Sequence, residues 1–176
     1  MSLPNAALPA ILFSKEEIDR RLRLLVKQLA ALPETPEVAA PVLVGAFVFA
    51  ADLVRAMAEE GVHLTTEMIW LRSYGNARTG ASLSVLAAPT DHVKGKHVLL
   101  VDGVLDKGNT VSHATKLLLD AGAASVKTVV AVDKRNHDAI AKADYALFTG
   151  VQEFIVGYGM DDAGTYRALP YIGRVE

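Results

Sequence analysis

The chain has 176 residues, about half of them hydrophobic, which is enough for one domain with a sizeable buried core. Eighteen Lys and Arg against twenty Asp and Glu leave a formal net charge of −2, which gives no general pull toward nucleic acid or an anionic membrane. The absence of cysteine excludes a disulfide framework, a thiolate metal site and a cysteine nucleophile.

The opening "MSLPNAALPAILF" has no basic stretch before its apolar part, so a secretory leader is not expected, and the cytoplasm is the default compartment. No apolar run reaches the ~20 residues of a membrane span. Ser14 with Glu17 has the spacing of a capping box. Ile18, Leu22, Leu25, Val26 and Leu29 then recur on one helical face, and Pro33 ends that helix. "PVLVG" (41–45) predicts a short strand, and "AFVFAADLVRAMAEEG" a helix closing on Gly61. Residues 62–71 read as a strand, 72–82 as a polar, Gly-bearing, mobile loop, and 83–87 as the returning strand. "HVLLV" (97–101) is a continuous apolar run of the kind buried on both sheet faces. From Thr110, residues Val111, Ala114, Leu117, Leu118 and Ala121 line a helix that Gly122 stops, and 125–132 is another buried strand. The tail after Asp144 alternates short apolar runs with turns and reads as edge strands and loops. The order of elements predicts an α/β fold with a mostly parallel sheet. The five histidines show no metal-ligand spacing.

The stretch "VLLVDGVLDKGNT" (98–110) carries the chemistry. In parallel sheets, ligands bind beyond the carboxyl ends of the strands. A loop there that runs into a helix offers unpaired N–H groups and the positive end of the helix dipole to an anion such as phosphate. Gly108 permits positive φ or a close backbone approach, and Asn109 and Thr110 can cap the helix or donate. The loop is neither G-x-x-x-x-G-K-[ST] nor G-x-G-x-x-G. Asp102 and Asp106 would repel phosphate alone. They suit a ligand that also carries hydroxyls and a developing positive charge, such as a 5′-phosphorylated sugar reacting at C1.

On these residues the chain resembles the type I phosphoribosyltransferases, and more narrowly the hypoxanthine-guanine phosphoribosyltransferases. Three further stretches carry the likeness: "LVGAFVFAADLVRAM" (43–57), "RSYGNARTG" (72–80) and the tail from "DKR" (133–135) through "EFIVGYGMDDAGTYRALPYIG" (153–173). The resemblance implies a single domain over 1–176, with a core of about 38–135 and a small hood from about 1–37 and 136–176. It implies transfer of 5-phosphoribosyl from phosphoribosyl pyrophosphate (PRPP) to hypoxanthine or guanine with Mg²⁺, by a dimer or tetramer that binds neither nucleic acid nor membrane.

The resemblance also implies roles by position. Asp106 handles the proton at the purine N7, and Asp102, Asp106 itself, Lys107, Gly108, Asn109 and Thr110 hold the ribose and 5′-phosphate. Val44, Gly45 and Arg167 face pyrophosphate. Lys134 reads the exocyclic oxygen, Phe154 stacks on the base, and Ile155 reads its edge. Asp161 and Asp102 contact the metal, and Ser73 and Tyr74 form the lid pair. Three positions depart from the pattern: Gly103 replaces a second acid, Val44 stands where Lys is frequent, and Lys107 where Thr is. An acid restored at 103 is expected to strengthen PRPP binding. The departures keep a second reading open, a PRPP- or nucleotide-binding regulator with little turnover. A third reading keeps the enzyme and changes the base, for example to xanthine.

Overall fold

The computed structural model describes residues 8–74 and 82–175. These form ten strands: β1 (Ala10–Phe13), β2 (Val38–Leu43), β3 (Thr65–Thr66), β4 (Ile69–Tyr74), β5 (Ser82–Ala87), β6 (His97–Leu105), β7 (Ser125–Asp133), β8 (Tyr145–Thr149), β9 (Phe154–Val156) and β10 (Ile172–Val175). Three α-helices accompany them: α1 (Lys15–Ala30), α2 (Phe47–Glu59) and α3 (Asn109–Asp120). None of the described helices is long and apolar enough to cross a membrane.

The main sheet has the order β5-β4-β2-β6-β7-β8, with β3 pairing β2. All of its pairs are parallel except β4 with β5. The apolar strands read from sequence are therefore covered on both faces, as parallel sheets require. On one face, Ile18, Leu22 and Leu29 of α1 and Phe49 and Leu53 of α2 pack on Leu99, Val101 and Val129. On the other face, Val111, Ala114 and Leu118 of α3 pack on Val98, Leu100 and Val130. The even-odd split of β6 between the two cores is the period of a strand.

The hydroxyl of Ser14 caps α1 by accepting the N–H of Glu17 at 3.2 Å. A cap of this kind contributes on the order of 1 kcal/mol. The second sheet is small and antiparallel, in the order β1-β10-β9. It joins the N-terminal segment to the C-terminal tail. Phe13 of β1 stacks on Phe148 of β8 at 3.7 Å between ring centroids, which ties the two sheets together. The range 38–135 takes in β2 through β7, while α1 and β8 pack onto the same body from outside it.

Three expectations about element limits are corrected. The strand read over 97–101 runs on to Leu105, because β7 keeps pairing with it through Asp102, Val104 and Leu105. The polar segment 72–82 is not a loop from its start. Arg72, Ser73 and Tyr74 belong to β4 and pair with Ser84, Leu83 and Ser82. Residues 75–81, the rest of the expected lid, lie outside the described residues. The strand read over 62–71 is split as well. Glu67 turns its nearly buried carboxylate to accept the Thr90 N–H at 2.7 Å, and pairing resumes only at Ile69.

Candidate active site

Strands β2 and β6 are neighbours, yet the helices that follow them leave to opposite faces. That makes the crevice beyond their carboxyl ends a switch point, the usual ligand position in open α/β sheets. Two loops border it: 44–46 between β2 and α2, and 106–108 between β6 and α3. Both helices start without a side-chain cap and without an acid in the first turn. No first-turn carboxylate faces either helix start, although at α2 the Ala46 and Phe47 N–H groups donate to the Val42 and Val44 carbonyls, and both helix ends are electropositive.

The loop before α3 is three residues long, Asp106, Lys107 and Gly108. Gly108 has φ +81°, and a Cβ there would lie 2.8 Å from the Ala141 nitrogen. Any other residue would be strained and would collide. The Ile140 N–H donates to the Lys107 carbonyl at 2.9 Å, which clamps the turn from the other side.

The loop before α2 contains Val44, 40% exposed, and the Leu43–Val44 peptide is cis. Gly45 has open space around it, but its carbonyl is closely packed. A Cβ on Gly159 would sit 2.4 Å from that carbonyl oxygen, and one on Gly103 would sit 3.0 Å from it and 3.3 Å from Cγ of Met160. Gly159 also has φ +99°. Gly103 and Gly159 therefore let β6 and the tail press against the backbone of the 44–46 loop. Position 103 is thus tightly packed as well as lacking the acid. An acid restored there has to displace the Gly45 carbonyl or Met160, which counts against the expected gain in PRPP binding.

Asp102 is half-buried in β6 and accepts the Gly103 N–H at 2.7 Å. Burial pushes its carboxyl up to about 7, against the lowering effect of that hydrogen bond. Asp106 stands at the strand end with half of its side chain exposed. Lys134, just past β7, brings Nζ to 4.0 Å from Oδ2 of Asp106 and donates to the Glu153 carbonyl at 2.9 Å. Phe154 follows Glu153 and is 55% exposed, whereas Ile155 is buried. Lys134 thus links Asp106 to the 153–155 segment.

Arg167 binds Asp161 at 2.7 Å and donates to the Gly159 carbonyl at 2.8 Å. The other oxygen of Asp161 accepts the Gly164 N–H at 2.7 Å. These contacts place the Asp161–Arg167 pair next to Gly159, and so beside the 44–46 loop. Among the described residues no three His, Asp or Glu side chains cluster to hold a metal. Ser73 and Tyr74 end β4, and their pairing places them one strand beyond β2.

Some contributors were not visible in the sequence reading. Gly159 and Met160 sit in the tail but shape the 44–46 loop, and Asn136 donates to Asp106 at 2.9 Å. The sequence signal for Gly159 was the "GYG" pair of glycines. For Asn136 there was only its position two residues after Lys134.

The fold is shared with known proteins. The phosphoribosyl transferase domain family matches residues 11–163. A hypoxanthine-guanine phosphoribosyltransferase from Leishmania donovani is 38% identical over 132 residues, 73% of this chain and 62% of that protein. One from Bacillus subtilis is 33% identical over 166 residues, 93% of this chain and 91% of that protein. The structure of the Trypanosoma cruzi hypoxanthine phosphoribosyltransferase in complex with the product IMP superposes with a TM-score of 0.85. It is 33% identical, and the match covers 98% of each chain.

Proposed function

The chain belongs to the type I phosphoribosyltransferases of the hypoxanthine-guanine kind, and from that membership we propose that it transfers 5-phosphoribosyl from PRPP to hypoxanthine or guanine. The products are IMP or GMP and pyrophosphate, a purine-salvage reaction carried out in the cytoplasm. The observation that carries this reading is the convergence on Asp106: a carboxylate beside an open helix start, with the Lys134 ammonium 4.0 Å away and Phe154 exposed nearby.

The C1–O bond to pyrophosphate breaks and the C1–N9 bond forms through a ribosyl cation. The N–H groups of Lys107, Gly108, Asn109 and Thr110 hold the 5′-phosphate at the α3 end. Those at Val44 and Gly45, together with Arg167, receive pyrophosphate at the α2 end and neutralise its growing charge. Asp102 meets ribose hydroxyls. As N9 attacks, the purine loses its N7 proton to Asp106. Lys134 selects an oxygen at C6, because an adenine amino group offers its ammonium no acceptor. Phe154 covers the base face, and the backbone at Ile155 reads its edge. Ser73 and Tyr74 open the segment that excludes water.

The donors suit Mg²⁺, an ion that takes one or two carboxylates and fills its remaining positions with phosphate oxygens and water. Asp161 is the carboxylate beside the pyrophosphate loop, and Asp102 is the one on the ribose side. When bound, the ion would supply charge neutralisation at the leaving group. Met68, Trp70 and Leu86 on the β4–β5 side keep 37–49% of their surface exposed, which suits a second copy of the chain in a dimer or tetramer.

The test is an assay with Mg²⁺, PRPP and each of hypoxanthine, guanine, xanthine and adenine. Nucleotide is expected with hypoxanthine and guanine and none with adenine; xanthine alone as acceptor would change the base. The close packing at Gly103, which leaves a single ribose-side acid, favours a second reading, a PRPP- or nucleotide-binding regulator. That reading is supported by no product with any base while PRPP still raises the melting temperature.

A further inference from the structure

The Asp106 carboxylate ends a strand on a three-residue turn, half exposed. A side chain in that position has two equivalent oxygens and free rotation about two bonds, yet proton transfer needs one oxygen aimed at one atom. Lys134 does not aim it. At 4.0 Å its ammonium attracts the carboxylate without a directional hydrogen bond, and it already donates to the Glu153 carbonyl.

Asn136 does. Its Nδ2 donates to Oδ1 of Asp106 at 2.9 Å. The asparagine is itself preset, since its Oδ1 accepts the Asp138 N–H at 3.1 Å. One step earlier the Asp133 carboxylate accepts the Arg135 N–H at 2.8 Å, and Arg135 lies at φ +53°. Two successive turns, each closed by its own side chain, thus deliver the amide to the carboxylate. The network also settles the amide orientation. The reverse placement would set a carbonyl against Asp106 and an NH₂ against an N–H.

We propose, resting on the transferase reading above, that Asn136 is a positioning residue. It fixes Oδ1 of Asp106 so that Oδ2, on the Lys134 side, is the oxygen presented to the N7 proton of the incoming 6-oxopurine. It touches neither sugar nor phosphate, so its loss affects the proton step and spares binding of PRPP.

Two variants separate that role from loop folding. Asn136→Ser keeps a short acceptor for the Asp138 N–H but no longer reaches Asp106. Asn136→Asp keeps the shape and the turn acceptor but sets carboxylate against carboxylate. Asn136→Ser is expected to lower kcat about tenfold while KM for PRPP stays within about twofold, the size of effect a slight misplacement of a reacting group produces. Asn136→Asp is expected to lower kcat further, with the melting temperature of both variants close to wild type. Wild-type kcat in Asn136→Ser overturns the proposal, as does a loss of kcat matched by equal losses in PRPP binding and thermal stability. Nucleotide formation by the wild-type protein is read alongside. If that is absent, the transferase reading falls and this role falls with it; if it is present, either result above bears on Asn136 alone.

Discussion

Asp102 is an acid whose titration the fold shifts strongly. Its folded-state pKa, about 7, lies above the ordinary 3.8 because burial disfavours the charge. A raised carboxyl means that the folded chain holds a proton the unfolded chain releases. This contribution to stability is complete below about pH 4, declines as pH rises toward 7, and is constant above that. Asp102→Asn is therefore expected to be more stable than wild type by a margin that widens between pH 4 and 7. The widening is at most about 1.4 kcal/mol per pH unit. Denaturant titrations across that range check it, and a pH-independent margin would contradict it. Residue identities were legible wherever chemistry and short spacing coincide, as in Asp106-Lys107-Gly108 or Ser14 with Glu17. Asn136 was not, since its partner lies 30 residues away and its aim depends on two turns that no spacing rule announces. Gly103 was legible only as a missing acid. Its packing depends on the Gly45 carbonyl, some 58 residues earlier, and on Met160, some 57 residues later.

At the level of elements, α3 depends on how its first turn is entered. Gly108 combines a left-handed backbone with the Ala141 backbone pressed against the face where a side chain would stand. Gly108→Ala is expected to cost about 2 kcal/mol or more, part from the conformation and part from overlap. It should also weaken binding of GMP or another 5′-phosphate. An unchanged denaturation midpoint and phosphate affinity would show that the turn can rearrange. The helices were readable from their 3.6-residue apolar repeats, and α3 begins within a residue of the expected Thr110. Strand ends were less so. Asp102 and Gly103 look like loop residues by composition, and Arg72 to Tyr74 look like part of a polar connection. Each stays in its sheet because a neighbouring strand supplies the hydrogen bonds, and a backbone ladder does not depend on side-chain polarity.

For the whole molecule, the question is how the tail is held over the switch point. The Tyr158 hydroxyl donates to Asp52 of α2 at 2.9 Å, and its ring lies buried beside Phe49. Burial, with Asp52 beside it, pushes the Tyr158 hydroxyl well above its usual range, so it remains a donor throughout the working pH range. Tyr158→Phe is expected to lower stability by about 1–2 kcal/mol through loss of that bond. Because Gly159 follows directly and packs on the Gly45 carbonyl, the same change should weaken pyrophosphate binding more than GMP binding. Equal affinities for both in mutant and wild type would detach the tail from that half of the crevice. The parallel sheet was legible from alternating strand and helix patterns, and the tail's short strands from its turns. That two of them, β9 and β10, join β1 in a sheet of their own was not, because such pairing brings together residues about 160 positions apart. The two open helix starts, finally, approach the crevice from opposite faces. On the proposed reading, a substrate charged at both ends would be gripped separately at each helix start, and once its middle bond is cut neither fragment would need the other to stay or to go. Departure can proceed one fragment at a time, and a surplus of either product would jam its own half of the crevice while leaving the other half free to bind.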